Sequence, residues 1–294
     1  MFSKAYQIAS CFTFPLLIST HRINGAVDVA IASFVVVNKD GWILTAAHVK
    51  QLLMMHHKDM EDSRRYDEEK LRIEGDQTLT TGKRKKLLRQ LKKKPDSLDR
   101  VSYWWGKSEH RIEEDYTIPE ADIMLARLAS FDPNWVKSYP VFKKPDNLMP
   151  GTSLCRLGFP FSTAAATYDD KTGNFTLAPG VLPLPRFPID GILTRELRTS
   201  IPGINNGDPV GLFIETSSPG LRGQSGGPIF DTNGVVWSIQ SQTHHLALGF
   251  RPSLQHNGKM EAENQFLNVG LGVHPGLLFR LMTERGIDFA VSED

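Results

Sequence analysis

Within this 294-residue chain, the segment Gly223-Gln224-Ser225-Gly226-Gly227-Pro228 leaves the backbone the fewest choices. Its glycines accept backbone angles closed to other residues, so a tight turn is expected there. The same glycines let a substrate carbonyl approach the main chain. The amides of Gly223 and Ser225 can then converge on a developing oxyanion. A serine on such a turn is presented as a nucleophile. A glycine-rich turn by itself is more often only a turn, so the rest of the chain must decide.

The N-terminal third reads as β-structure. Phe14 to Ser19, Val27 to Asn38 and Trp42 to Ala47 are rich in Val, Ile, Phe and Thr. Asn24-Gly25 and Lys39-Asp40-Gly41 mark turns between them. The run from Ile8 to Ile18 is interrupted by Ser10, Thr13 and Pro15, and no small-residue cleavage site follows it. It is expected to be the first strand and not a signal peptide. The third run ends in Thr45-Ala46-Ala47-His48, where the small alanines permit close packing around an imidazole.

From about residue 50 to 118 the character changes to a charged insertion. Asp59 to Glu74 is acid-rich at helical spacing, and Lys83 to Lys94 carries eight Lys/Arg around Leu87, Leu88 and Leu91. A pair of helices of opposite charge, facing each other, is expected. It reads either as a solvated insertion or as a docking surface for a regulatory protein partner. Strand signals resume at Val101 to Gly106 and at Asp122 to Leu128.

Four prolines between 133 and 150 mark a linker, dividing the chain into 1–138 and 139–294. Beyond it come Leu154 to Gly158, a Pro- and Phe-rich loop over 159–188, and strands at Gly191 to Thr194 and Val210 to Thr216. Immediately after the serine turn, Ile229-Phe230 and Val235 to Ser241 form a hairpin around Asn233-Gly234. A strand at Phe266 to Val273 and a closing helix at Leu277 to Arg285 complete the chain.

His48, Asp122 and Ser225 thus stand each in a distinctive local segment. A serine hydroxyl is a poor nucleophile at neutral pH and needs a base. An imidazole can take its proton, and a buried carboxylate fixes the imidazole tautomer and stabilises the imidazolium.

These three segments resemble the catalytic motifs of chymotrypsin/trypsin-like serine proteases. The strings Leu157-Gly158-Phe159-Pro160-Phe161, Gly191 to Thr194 and Phe213 to Thr216 place the chain closer to the HtrA-type branch than to digestive trypsins. The resemblance implies an all-β fold of two six-stranded antiparallel β-barrels with the active site between them. The charged insertion would lie in the first barrel and the closing helix at the C-terminus. His48 and Asp122 would come from the first barrel, and Ser225 with its oxyanion hole from the second. The implied function is a serine endopeptidase acting on protein or peptide. A partner-regulated intracellular effector protease and a catalytically silent binding module are the alternatives.

The departures from the family pattern are specific. No cysteine stands beside the histidine or the serine; Val49 and Leu221 do. The aspartate that pairs with a freed N-terminus in secreted trypsins is replaced by Gln224, so activation by N-terminal cleavage is not expected. No PDZ-like module is expected in the roughly 20 residues after Val273. The position six before the serine, acidic in trypsins, is Pro219, which favours a small or medium apolar substrate side chain over Lys/Arg. Pro219, Gly220, Leu221 and Arg222 are expected to line the substrate pocket. Ile239-Gln240-Ser241 is expected to supply the edge to which substrate backbone pairs.

The remaining features mostly exclude. A net charge of +1 gives no reason to expect nucleic acid or a membrane as partner. Two distant cysteines, Cys11 and Cys155, suit free thiols in a reducing compartment, and the default location is cytoplasmic. His56-His57 and His244-His245 lack the carboxylate or cysteine spacing of a metal site, so neither metal nor cofactor is expected.

Overall fold

Ala5, Ala9 and Phe12 recur at helical spacing and are fully buried, and Ser3–Phe12 form helix α1. The computed structural model describes residues 1–92, 94–106, 110–200, 206, 209–250, 253–256, 259–262 and 265–293. The N-terminal run was expected as strand throughout. Its first half is instead helical, because its apolar residues repeat at four and three, and strand β1 (Thr13–Arg22) begins only afterwards. Thr13 Oγ1 donates to the Ala9 carbonyl at 2.7 Å and closes the helix end.

β1 pairs antiparallel with β2 (Val27–Val36), which pairs with β3 (Trp42–Ala46). Helices α2 (Gln51–Gly75) and α3 (Thr81–Gln90) follow, then β4 (Leu98–Trp105), β5 (Ile112–Ile118) and β6 (Ile123–Leu128). These strands make one six-stranded antiparallel sheet in the order β4-β1-β2-β3-β6-β5. The insertion is therefore narrower than the expected 50–118, since β4 and β5 belong to the sheet. The sequence disguised β5, whose Ile-Glu-Glu-Asp-Tyr-Thr-Ile is charged as sheet edges commonly are. The two helices do lie against each other, and Lys94, just beyond α3, places Nζ 4.0 Å from Asp62 of α2. Lys93, one of the eight basic residues of that segment, falls outside the described residues.

After the proline-rich connection come β7 (Val141–Phe142), β8 (Ser153–Gly158), β9 (Ala166–Asp169), β10 (Asn174–Leu177), β11 (Phe187–Thr199) and β12 (Val210–Thr216). Then follow β13 (Pro228–Phe230), β14 (Val236–Ala247), β15 (Ser253–His256), β16 (Lys259–Ala262), β17 (Phe266–Val273), helix α4 (Pro275–Glu284) and β18 (Ala290–Val291). The second sheet holds eight strands, not six. Six of them, β8-β11-β12-β17-β14-β13, close a ring of antiparallel pairs through β13, which bonds both β8 and β14. β7 and β18 attach outside it by parallel pairing. The fold is thus the chymotrypsin-like arrangement of two β-barrel units. The Pro- and Phe-rich loop expected over 159–188 contains the β9–β10 hairpin.

The two units share a core, with Phe34, Leu44 and Leu125 of the first buried in one cluster with Phe230, Ile239 and Val273 of the second. Each chain end also crosses to the other unit. Phe2 meets Phe230 edge-on at 6.3 Å, and Asn38 Nδ2 donates to the Asp288 carbonyl at 2.8 Å.

His274 caps α4 from a buried position. Its Nδ1 accepts from the Gly276 amide at 3.0 Å and its Nε2 faces Glu196 at 3.0 Å. Burial lowers its pKa, and the Glu196 carboxylate opposes that shift without cancelling it. A folded-state value below the free imidazole's, about 6.5, makes the neutral ring's stabilisation complete above that pH. It is lost as pH falls through the depressed value. His274→Asn keeps a capping oxygen but cannot titrate, so its melting temperature should fall less than wild type on acidification from pH 7. Parallel pH profiles for the two proteins would refute this assignment.

Candidate active site

β3 ends at Ala46, and a 3-10 turn over Ala47–Lys50 carries His48 to the seam between the two units. Asp122 sits after another such turn, Pro119–Ala121, in a left-handed conformation (φ 52°) that aspartate tolerates better than most residues. Antiparallel pairing of β3 with β6 brings the two turns together, and the Ala47 amide donates to the Asp122 carbonyl at 3.0 Å.

The Asp122 carboxylate grips the histidine twice. Oδ1 accepts from the His48 backbone amide at 2.8 Å, and Oδ2 lies 2.8 Å from His48 Nδ1. A carboxylate only accepts, so Nδ1 carries the proton and Nε2 is left with its lone pair. Ser241 Oγ donates to the same Oδ2 at 2.7 Å. Burial would raise the Asp122 pKa; its hydrogen bonds and electrostatic interaction with His48, with the bond from the Ser241 hydroxyl, outweigh burial and hold it below the usual carboxylate value.

Ser225 is half-buried and lines the same cavity of about 600 Å³ as His48. Among the described residues its hydroxyl makes no hydrogen bond. Neither its amide nor that of Gly223 is spent on a protein acceptor among the described residues. Gly223 holds φ +92°, and its carbonyl is turned inward, accepting from the Phe159 amide at 3.0 Å and from Ser33 Oγ at 2.7 Å.

Ser33, fully buried in β2, fastens the turn to the opposite unit. Its amide donates to the Ser225 carbonyl at 2.8 Å while its hydroxyl holds Gly223. Its own carbonyl accepts from Thr45 Oγ1 at 2.7 Å. Sequence reasoning missed this residue. A buried serine in an apolar strand, Ala30-Ile31-Ala32-Ser33-Phe34, was the one signal available.

Gln224, also fully buried, orders the turn from within. Its Oε1 accepts from the Leu221 amide at 3.0 Å and its Nε2 donates to the Phe187 carbonyl at 3.3 Å. Arg156 was missed as well. It lies behind the wall formed by Ser218 and Pro219, donating to both carbonyls and to the Thr216 hydroxyl, and burial lowers its pKa to about 10.

A second cavity, of about 430 Å³, opens on the other side of Ser225. It gathers Pro219, Gly220, Leu221, Arg222, Gln240 and Ser241, as expected from their positions, together with Gln242, Thr243 and Asn268. Ile239 is not brought there. It is fully buried and pairs with Pro228, and the backbone of Gln240 is taken up by Gly226 and Gly227. Pairing within the barrel thus occupies the first two residues of the expected substrate edge. The Ser241 side chain is turned to Asp122.

A comparison with curated protein sequences finds no match. Among solved structures, the HtrA-type protease AlgW with tripeptide aligns at 14% identity and TM-score 0.47, over 98% of this chain and 65% of that one. A variant of AlgW with tripeptide aligns at 14% identity and TM-score 0.49, over 97% and 63%. The chain thus spans less than two thirds of the length of either AlgW structure. The Rv3671c protease from M. tuberculosis, active form, aligns at 15% identity and TM-score 0.47, over 98% and 86%. The trypsin-like peptidase domain family matches residues 32–239. With most of its length inside that match, the chain belongs to the trypsin-like peptidase domain family.

Proposed function

We propose that this protein hydrolyses peptide bonds with Ser225 as nucleophile, His48 as general base and acid, and Asp122 as the group that orients His48. The observation that carries the reading is the double grip of Asp122 on His48, with Ser225 facing the same cavity. His48 Nε2 takes the Ser225 proton as Oγ attacks the carbonyl carbon. The amides of Gly223 and Ser225 receive the oxyanion. The C–N bond then breaks, His48 returns the proton to the leaving amine, and water repeats the sequence to free the acid. The unbonded state of the Ser225 hydroxyl is compatible with this, because such contacts are often long before substrate binds.

Activation without N-terminal cleavage is part of the proposal. Gln224 is satisfied by Leu221 and Phe187, so the turn needs no freed terminus to order it. The side chain before the scissile bond enters the 430 Å³ cavity. Among the described residues that cavity has no carboxylate in its lining, and its walls include Gln240, Gln242, Thr243 and Asn268. With Arg222 and His245 also in its lining, a polar or acidic side chain suits it better than the apolar one expected from Pro219 alone. Substrate backbone would pair beyond Ser241. The leaving side of the substrate lies along the 600 Å³ cavity, where the first turn of α2 contributes Leu52 and Met55 beside Val29 and Ile31. A regulatory partner that moved α2 would therefore change substrate access, and this is the role we assign to the charged insertion. No helix among the described residues is long and apolar enough to cross a membrane. The two unpaired thiols support residence in a reducing compartment, the cytoplasm.

Labelling with a fluorophosphonate tests the reading directly. Wild type should take one label, mapped to Ser225 by peptide mass, and Ser225→Ala should take none while unfolding at an unchanged denaturant midpoint. Label on another residue, or none on wild type, would sink the proposal.

A further inference from the structure

A cavity of about 700 Å³ lies away from Ser225, between α1, the start of β1 and the segment leading into β11. Its walls include Phe14, Trp135, Phe159 and Leu184, with Arg186 inside and the exposed Lys137 beside it. Among the described residues, no carboxylate is found in this lining. The volume is within the range of small-molecule sites, about 300 to 1,000 Å³.

Arg186 is the feature that the peptidase reading leaves unused. Its guanidinium is half-buried, 5.7 Å from the Phe159 ring centre, and one N–H donates to the Thr13 carbonyl at 3.0 Å. Its other N–H groups find no acceptor among the described residues, and Nε is buried without a partner. Burial lowers its pKa against smaller upward contributions from Tyr6 and Cys11, as befits a half-buried cation with no carboxylate partner among the described residues. Anchoring one loop to one carbonyl needs a single donor, whereas a guanidinium offers five in a planar fork. Taking a charge out of water is costly unless it is paired. An aromatic cavity lined by one half-buried cation and one exposed one is chemically the receptor of a monoanion with an apolar body.

We propose that this cavity binds a small organic monocarboxylate, its carboxylate on Arg186 near Lys137 and its apolar body against Phe14, Trp135 and Phe159. A free organic acid and the C-terminal carboxylate of a peptide share this chemistry. The inference does not depend on the peptidase mechanism. Phe159 also lines the Ser225 cavity, and its amide holds Gly223, so the two cavities share a wall.

Isothermal titration of the full chain with 4-phenylbutyrate and with 4-phenylbutyramide separates charge from shape. Acetyl-Leu-Phe with a free carboxyl and its amide serve as the peptide arm. At least one acid should bind with Kd below about 1 mM and at least about tenfold more tightly than its amide. The arm that binds identifies the source. Arg186→Met should weaken the acid about tenfold or more and leave the amide unchanged, and Lys137→Met should weaken it less. Should Arg186→Met not fold, the acid-to-amide ratio on wild type decides alone. Equal binding of acid and amide, binding of neither acid, or wild-type affinity in a folded Arg186→Met protein would each overturn the proposal.

Discussion

His48→Ala is expected to lower kcat by about 10⁶, and Asp122→Asn by about 10⁴, each with the fold retained. The first removes the group that accepts the Ser225 proton. What survives is the contribution of the oxyanion donors and of substrate binding. The second is more discriminating, because asparagine keeps both the shape of Asp122 and its tolerance of the left-handed backbone. An amide nitrogen placed against His48 Nδ1 would push the ring proton to Nε2, where the base must be free. The Asp122 pKa lies below the usual carboxylate range, so the carboxylate's share of the mechanism should persist to lower pH than an ordinary aspartate would allow. It is lost only as pH falls through that depressed value. Steady-state rates on a fluorogenic peptide, with circular dichroism of each variant, provide the check. A folded His48→Ala protein retaining a tenth of wild-type kcat would end the mechanism.

Gly226→Ala is expected to be strongly destabilising. Gly226 holds φ +84°, and a Cβ there would lie 2.1 Å from the Ser33 carbonyl oxygen and 2.3 Å from Thr45 Oγ1. The two atoms are acceptor and donor of one hydrogen bond between β2 and β3, against which the serine turn packs, so neither can yield without breaking it. Gly25 supplies a control, since it has φ +85° but open space around its missing Cβ. Gly25→Ala should cost only the backbone penalty, about 1 to 2 kcal/mol. Gly226→Ala adds overpacking and should cost more than about 4 kcal/mol in all. Urea midpoints at constant slope measure both. Equal losses for the two variants would mean that the Ser33–Thr45 seam does not hold the turn.

The parts of the site that came out of the sequence are those whose chemistry is local. A glycine-flanked serine, a histidine after two alanines and an aspartate before an apolar strand each carry their own constraint, and their order could be read directly. Strands β1, β2, β3, β6, β8, β12 and β17 were legible for a similar reason, being apolar runs closed by turn residues. The charged edge strand β5 and the small β9–β10 hairpin were not, because their residues satisfy sheet hydrogen bonding without an apolar run. The opening helix was misread because an apolar segment of about ten residues fits either period until its packing partner is known.

Tertiary structure alone decided how the serine turn is held. Ser33 and Gly223 are 190 positions apart, and Ser241 reaches Asp122 across 119, so no window of sequence could pair them. The same holds for Gln224, whose role follows from carbonyl and amide groups at Phe187 and Leu221, and for Arg156 behind the substrate wall. Backbone groups are present at every residue, so sequence cannot say which of them a buried side chain will meet. Composition and local motif thus determined the chemistry this chain carries. The closure of the second barrel against the first determined where that chemistry is aimed, because long-range hydrogen bonds exist only after the chain has folded.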